Sequence, residues 1–88
     1  MVRDELQAAS DELDAAAEST EGETSERLAG QSEALAKLAT AERGPDQGRL
    51  DRHMNILREL SEEAGDASEH VDRALEHVTE YREGVGGI

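Results

Sequence analysis

Arg49, Arg52, His53 and Ile56 are spaced so that, on a helix, they fall along one side. Two guanidinium groups close to a helix N-terminus, where free amides and the macrodipole favour negative charge, suit a small anion or an acidic partner. Arg43 precedes them across Gly44-Pro45-Asp46, and Arg58 follows. Over residues 43–58 these four arginines outnumber the acids Asp46 and Asp51 by two. The ordinary alternative is that they pair with carboxylates of neighbouring helices, which 22 acidic residues make easy to find. The Gly44-Pro45-Asp46-Gln47-Gly48 turn is no phosphate loop, because it is Gly-poor and lacks the Gly-Lys-Ser/Thr ending.

The other residues with chemical potential point to less. His53 lies in an apolar stripe and is expected to be half-buried, neutral and hydrogen-bonded; proton transfer would need a poised partner and a substrate pocket. His70 and His77 flank a later stripe, with Asp66 four residues before the first and Glu80 three after the second. The Glu-x-x-His spacing of di-iron bundles occurs at none of the three histidines, so no metal is expected and His70 and His77 read as solvated. Acidic pairs such as Glu62-Glu63 read as solvated faces, since acid–base work requires burial that drives two pKa values apart. Serines and threonines fall at helix starts and polar faces, where capping explains them. Without cysteine there are no disulfides and no thiolate chemistry, which suits a reducing compartment. Tyr81 is the sole aromatic residue and offers no stacking platform for single-stranded nucleic acid. No enzyme activity and no cofactor are expected.

What must position these residues is helical nearly throughout. Val2, Leu6, Ala9, Leu13 and Ala16 form one stripe at 4, 3, 4, 3 spacing. Gly22 and Thr24 read as a stop and a new N-cap, and the stripe resumes as Thr24, Leu28, Gln31, Leu35 and Leu38. Arg43-Gly44-Pro45-Asp46 stops the second helix and places the only proline at the start of a third. A stripe then runs Leu50, His53, Leu57, Leu60, Ala64 and continues in phase through Ala67, Val71, Ala74, Val78, Tyr81 and Val85. Gly65 with Asp66 as N-cap and Glu69 at N3 predicts a break there; the alternative is one long helix over 46–83. Ser25-Glu26-Arg27-Leu28, Leu35 and Leu38 answer Ser68-Glu69-His70-Val71, Val78 and Tyr81 at a constant offset of 43. Glu12-Leu13 answers Glu59-Leu60 at an offset of 47, with four more residues in the first connection. The fold predicted over residues 1–88 is therefore all-α: two αα-hairpins, about 1–43 and 45–85, forming an antiparallel four-helix bundle, consistent with an old duplication.

Composition sets the environment. The 22 Asp and Glu face nine basic residues, eight of them Arg with Lys37 the only Lys, for a net charge of −13 and a mean hydropathy of −0.76. Such a chain suits multimolar salt, where screening shrinks the Debye length to roughly 3 Å or less. Its acidity opposes general nucleic-acid binding. No run reaches the roughly 18–20 apolar residues of a membrane span, and the N-terminus lacks a signal peptide's apolar core, so a cytoplasmic protein is expected. The core is thin: 18 Leu, Ile, Val, Met or Tyr and 13 Ala. A marginal monomer would gain from dimerising along a shared stripe, with Met54, Ile56 and the segment around Arg49 and Arg52 as contact candidates.

The segment Arg43-Gly44-Pro45-Asp46-Gln47-Gly48-Arg49-Leu50-Asp51-Arg52-His53-Met54-Asn55, with Gly22-Glu23-Thr24-Ser25-Glu26-Arg27-Leu28 and Leu38-Ala39-Thr40-Ala41 upstream and Glu80-Tyr81-Arg82 downstream, resembles a family of short, acidic, helical haloarchaeal proteins of unknown function. The resemblance implies an all-α fold and a halophilic cytoplasm, and carries no ligand or catalytic residue. The expected function is protein–protein interaction, beginning with a homodimer and extending to a protein partner still to be found. The alternative is a regulatory or ligand-binding module with an anion site at the third helix's N-terminus, carried by Arg43, Arg49, Arg52 and His53.

Overall fold

Each stripe winds into a helix whose apolar side faces a common centre. The computed structural model describes residues 3–41 and 47–86. It places α1 at Asp4–Glu18, α2 at Gly22–Thr40, α3 at Gln47–Glu63, a 3₁₀ turn at Gly65–Ala67 and α4 at Ser68–Gly86. No strand occurs among the described residues.

Side-chain pairs set the register. Between α1 and α2, the Arg3 amide donates to the Ala39 carbonyl (2.8 Å), Ser10 meets Ser32, and the Ser25 hydroxyl donates to the Ala17 carbonyl (2.8 Å). Those contacts step by seven up one helix and down the other, so the pair is antiparallel. Glu5–His77 and Glu12–His70 do the same for α1 and α4, and Asp51–Arg82 and Ser61–Asp72 for α3 and α4. Arg27–Glu63 and Gln31–His53 join α2 to α3, again antiparallel. The result is an up-down-up-down bundle of two hairpins, α1/α2 and α3/α4, docked mainly through α1 and α4. The α2/α3 side closes least.

One apolar core runs through all four helices: Leu6, Leu13, Leu28, Leu35, Leu50, Leu57, Leu60, Val71 and Val78 are fully buried, with Ala9, Ala16, Ala39 and Ala74 between them. Tyr81 packs against its edge, partly buried. Several expectations change at this level. Met54 is buried in the core rather than left over for a partner, because the α3 stripe turns toward Met54 and away from His53. On α2, Ser32 and Ala39 are buried where Thr24 and Gln31 are only partly so, because the face that meets α1 lies one residue round from the expected stripe. Ser10 and Ser32, at 2% and 3% exposure, are core residues and not the solvated or capping serines expected.

Both hairpins reverse at a glycine in the left-handed region, Gly22 at φ +67° and Gly65 at φ +56°. Side chains rarely adopt that conformation, so glycine is the residue the reversal requires. The two glycines are also 43 apart, the offset of the internal sequence similarity. Gly65 does break the long helix, but without the expected capping box. Asp66 lies inside the 3₁₀ turn, α4 starts at Ser68, and Glu69 pairs with Arg73 instead (2.7 Å). Likewise α2 starts at Gly22, two residues before the expected Thr24 cap. Before that, Ser19 and Thr20 fold their hydroxyls back onto the Ala15 and Ala16 carbonyls and satisfy the end of α1. The Arg3 guanidinium donates to the carbonyls of Leu38 (3.0 Å) and Ala41 (2.7 Å) and does the same for α2. The Arg43-Gly44-Pro45-Asp46 turn lies outside the described residues.

Candidate functional site

Because α2 and α3 splay, a groove of about 300 Å³ opens between them. Ala34, Lys37 and Leu38 of α2 line one side, and Arg49 and His53 of α3 the other. Two of the four expected site residues are thus brought together, joined by the chain's only lysine. Arg52 stands exposed on the same helix and makes no ion pair among the described residues. Arg43 lies outside them. The expectation that these arginines pair with neighbouring carboxylates fails for Arg52 and for Arg58, whose guanidinium donates to Asn55 Oδ1 (3.0 Å) on its own helix. Among the described residues, Arg27, Arg73 and Arg82 make interhelical ion pairs.

His53 is half-buried, as its place beside the stripe implied, and its Nδ1–H donates to Gln31 Oε1 (2.6 Å). Gln31, read from its spacing as a stripe position, in fact orients this imidazole. Burial pushes the His53 pKa below its ordinary value of 6.5, and the Arg49 and Arg52 cations push it the same way. The imidazole is therefore held neutral beside a cationic groove wall. Glu33, one turn earlier on α2, offsets the charge of Lys37 on the facing wall (3.5 Å).

A stability consequence follows from the direction of the shift. In the unfolded chain His53 takes a proton near its ordinary pKa, while in the folded chain it resists. Its contribution to stability is complete above pH 6.5 and is lost as pH falls through that value toward the lower folded pKa. In urea unfolding at fixed molar KCl, the wild type is expected to lose stability relative to His53→Gln as pH drops from about 7.5 to about 5.5. Parallel profiles for the two proteins would refute the assignment.

A second cluster, on the far side of the bundle, escaped the sequence reading in part. His70 and His77 are not simply solvated. Each donates from Nδ1 to a glutamate of α1, His70 to Glu12 Oε2 (3.3 Å) and His77 to Glu5 Oε2 (2.7 Å). The His77-x-x-Glu80 spacing was visible; the third member, Glu5, arrives only through the antiparallel register of α1 and α4. The Glu5, His77 and Glu80 ligand atoms all lie within 4.8 Å of one another. Hydrogen bonding to His77 lowers the Glu5 pKa, and the Glu5 charge raises that of Glu80.

No described helix is long and apolar enough to cross a membrane. No curated protein and no solved structure matches the chain. A family model does, over residues 1–84. The groove and the histidine seam are therefore features of a chain that belongs to the family of unknown function DUF7553.

Proposed function

We propose that the protein acts by protein–protein contact, with the α2/α3 groove receiving an acidic helical surface, first of all that of a second copy. One observation carries the reading: the seam that closes least is also where Lys37, Arg49 and His53 gather beside Ala34 and Leu38. Apolar and cationic groups side by side suit a helix that offers both a carboxylate and a methyl face. Acidic side chains outnumber basic ones 22 to 9, so a second copy supplies the complementary charge. The acid excess with a single lysine favours a salt-rich cytoplasm of the haloarchaeal kind.

Sedimentation in molar KCl tests this reading. The wild type is expected to be dimeric and the Arg49→Ala/Arg52→Ala double variant to dissociate while keeping its helical circular dichroism. A pull-down from a haloarchaeal lysate at the same salt, run with both proteins, identifies any further partner of that surface. A wild type that is monomeric and captures nothing would end the reading. The second reading, a small-anion site, draws on Arg49 and Arg52 lying in the first two turns of α3, where the helix dipole favours negative charge. Saturable phosphate-induced shifts at Arg49, Arg52 and His53 in the monomer would favour it.

A further inference from the structure

On α4, His70 and His77 stand one heptad apart, and the glutamates they reach on α1, Glu12 and Glu5, are also one heptad apart. The two sets are copies of one arrangement except at a single position. Three residues after His70 comes Arg73; three residues after His77 comes Glu80. Arg73 lies 4.0 Å from Glu12 and 2.7 Å from Glu69, so the first set balances its carboxylates with a guanidinium of its own. In the second set a carboxylate takes the place of that cation. Glu5 and Glu80 bring carboxylate oxygens within 4.8 Å of each other, and no arginine or lysine reaches them among the described residues. Glu76 adds further negative charge nearby.

We propose that Glu5, His77 and Glu80 bind a divalent first-row transition-metal ion, zinc or manganese in character, which supplies the charge that Arg73 supplies one heptad away. Two carboxylates and one imidazole are a donor set for such ions rather than for soft metals, and three protein ligands leave the remaining positions to water. Their ligand atoms, within 4.8 Å of one another, need modest side-chain rotation to reach bonds of roughly 2.0–2.2 Å. The ion takes the place of the proton on His77 Nδ1, which passes through solvent to Nε2, and ties the first turn of α1 to α4. The site is independent of the α2/α3 groove, on which it does not draw.

The experiment titrates metal-free protein in molar KCl with zinc chloride, following the imidazole resonances of all three histidines and the melting temperature. The His77 signals are expected to shift saturably while His70 and His53 stay in place, and the melting temperature to rise. Glu80→Arg copies the arrangement around Arg73 and so preserves the seam. It should fold and lose zinc affinity by more than the roughly 10- to 100-fold that removal of an outer-shell partner costs. Excess magnesium should not displace zinc. Equal shifts at His70 and His77 would mean diffuse attraction to an acidic surface and would overturn the proposal. So would silence at His77, or binding that survives Glu80→Arg.

Discussion

Raising KCl from about 0.01 M to about 1 M is expected to lift the melting temperature by at least about 10 °C. The bundle measures 38 × 19 × 17 Å. At the lower salt the Debye length is roughly 30 Å, longer than the bundle is wide, so each carboxylate feels those on the opposite face. At the higher salt it is roughly 3 Å, and only groups in contact interact. Gathering a net charge of −13 into a body with a radius of gyration of 12.1 Å, against roughly 29 Å unfolded, costs on the order of 10 kcal/mol in unscreened water. That is comparable to the whole stability of a small domain, typically about 5–15 kcal/mol. The ion pairs cannot offset it, because nine basic residues serve 22 acids and the pairs lie at the surface, where each is worth about 0–1 kcal/mol. If screening is the cause, most of the rise occurs below about 0.5 M, where the Debye length falls fastest. Circular dichroism melts across that range decide the matter: equal melting temperatures refute the argument, and a rise linear in salt to several molar assigns it to ion exclusion instead.

The features legible in the sequence are those set by local periodicity and punctuation. Leu6, Ala9, Leu13 and Ala16 read as one buried stripe because nothing else repeats at that spacing, and they are fully buried. Gly65 read as a break because a capping signature followed it; the break is there, although the left-handed glycine and not Asp66 makes it. Pairings between helices were not legible. Glu5 and His77 are 72 residues apart, and what unites them is the stagger of α1 against α4, which depends on how both stripes pack. Ser10 and Ser32 failed to register for a different reason. A serine beside a stripe looks the same from the sequence whether it faces water or another serine, and only a partner at the same height makes it a core residue. The groove was half legible. Arg49 and His53 share a helix face by spacing alone, whereas Lys37 joins them only because α3 runs antiparallel to α2.

That buried serine pair carries the second large effect, and size governs it more than hydrogen bonding. Ser10 Oγ lies 2.9 Å from both the Ser32 carbonyl and the Ser32 hydroxyl. Ser32 Oγ lies 2.9 Å from the Ser10 carbonyl and 2.5 Å from Asp14 Oδ1, so its single proton serves one of the two. Contacts from each hydroxyl to the opposite backbone require α1 and α2 to approach closely, and the positions that step along this seam are small: Ser10 and Ala17 against Ser25, Ser32 and Ala39. By the offsets of 47 and 43 that relate the hairpins, Leu57 and Leu75 occupy the matching places in α3 and α4, so the second hairpin carries leucines where the first carries serines. Ser32→Ala is expected to cost only about 1 kcal/mol, because Ser10 keeps the Ser32 carbonyl as an acceptor. The Ser10→Ala/Ser32→Ala double variant should be near neutral, since no buried hydroxyl is stranded and the seam stays narrow. Ser32→Leu should cost about 2–6 kcal/mol, combining overpacking of roughly 1–3 with roughly 1–3 for a Ser10 hydroxyl stranded as the leucine forces the helices apart and carries the residue 32 carbonyl out of its reach. For a domain this small and this highly charged, such a loss leaves little folded protein even in molar salt. Urea unfolding of the four proteins in about 2 M KCl ranks them; a leucine variant as stable as the alanine one would show that α1 and α2 are free to spread, and that the serines do not set their distance.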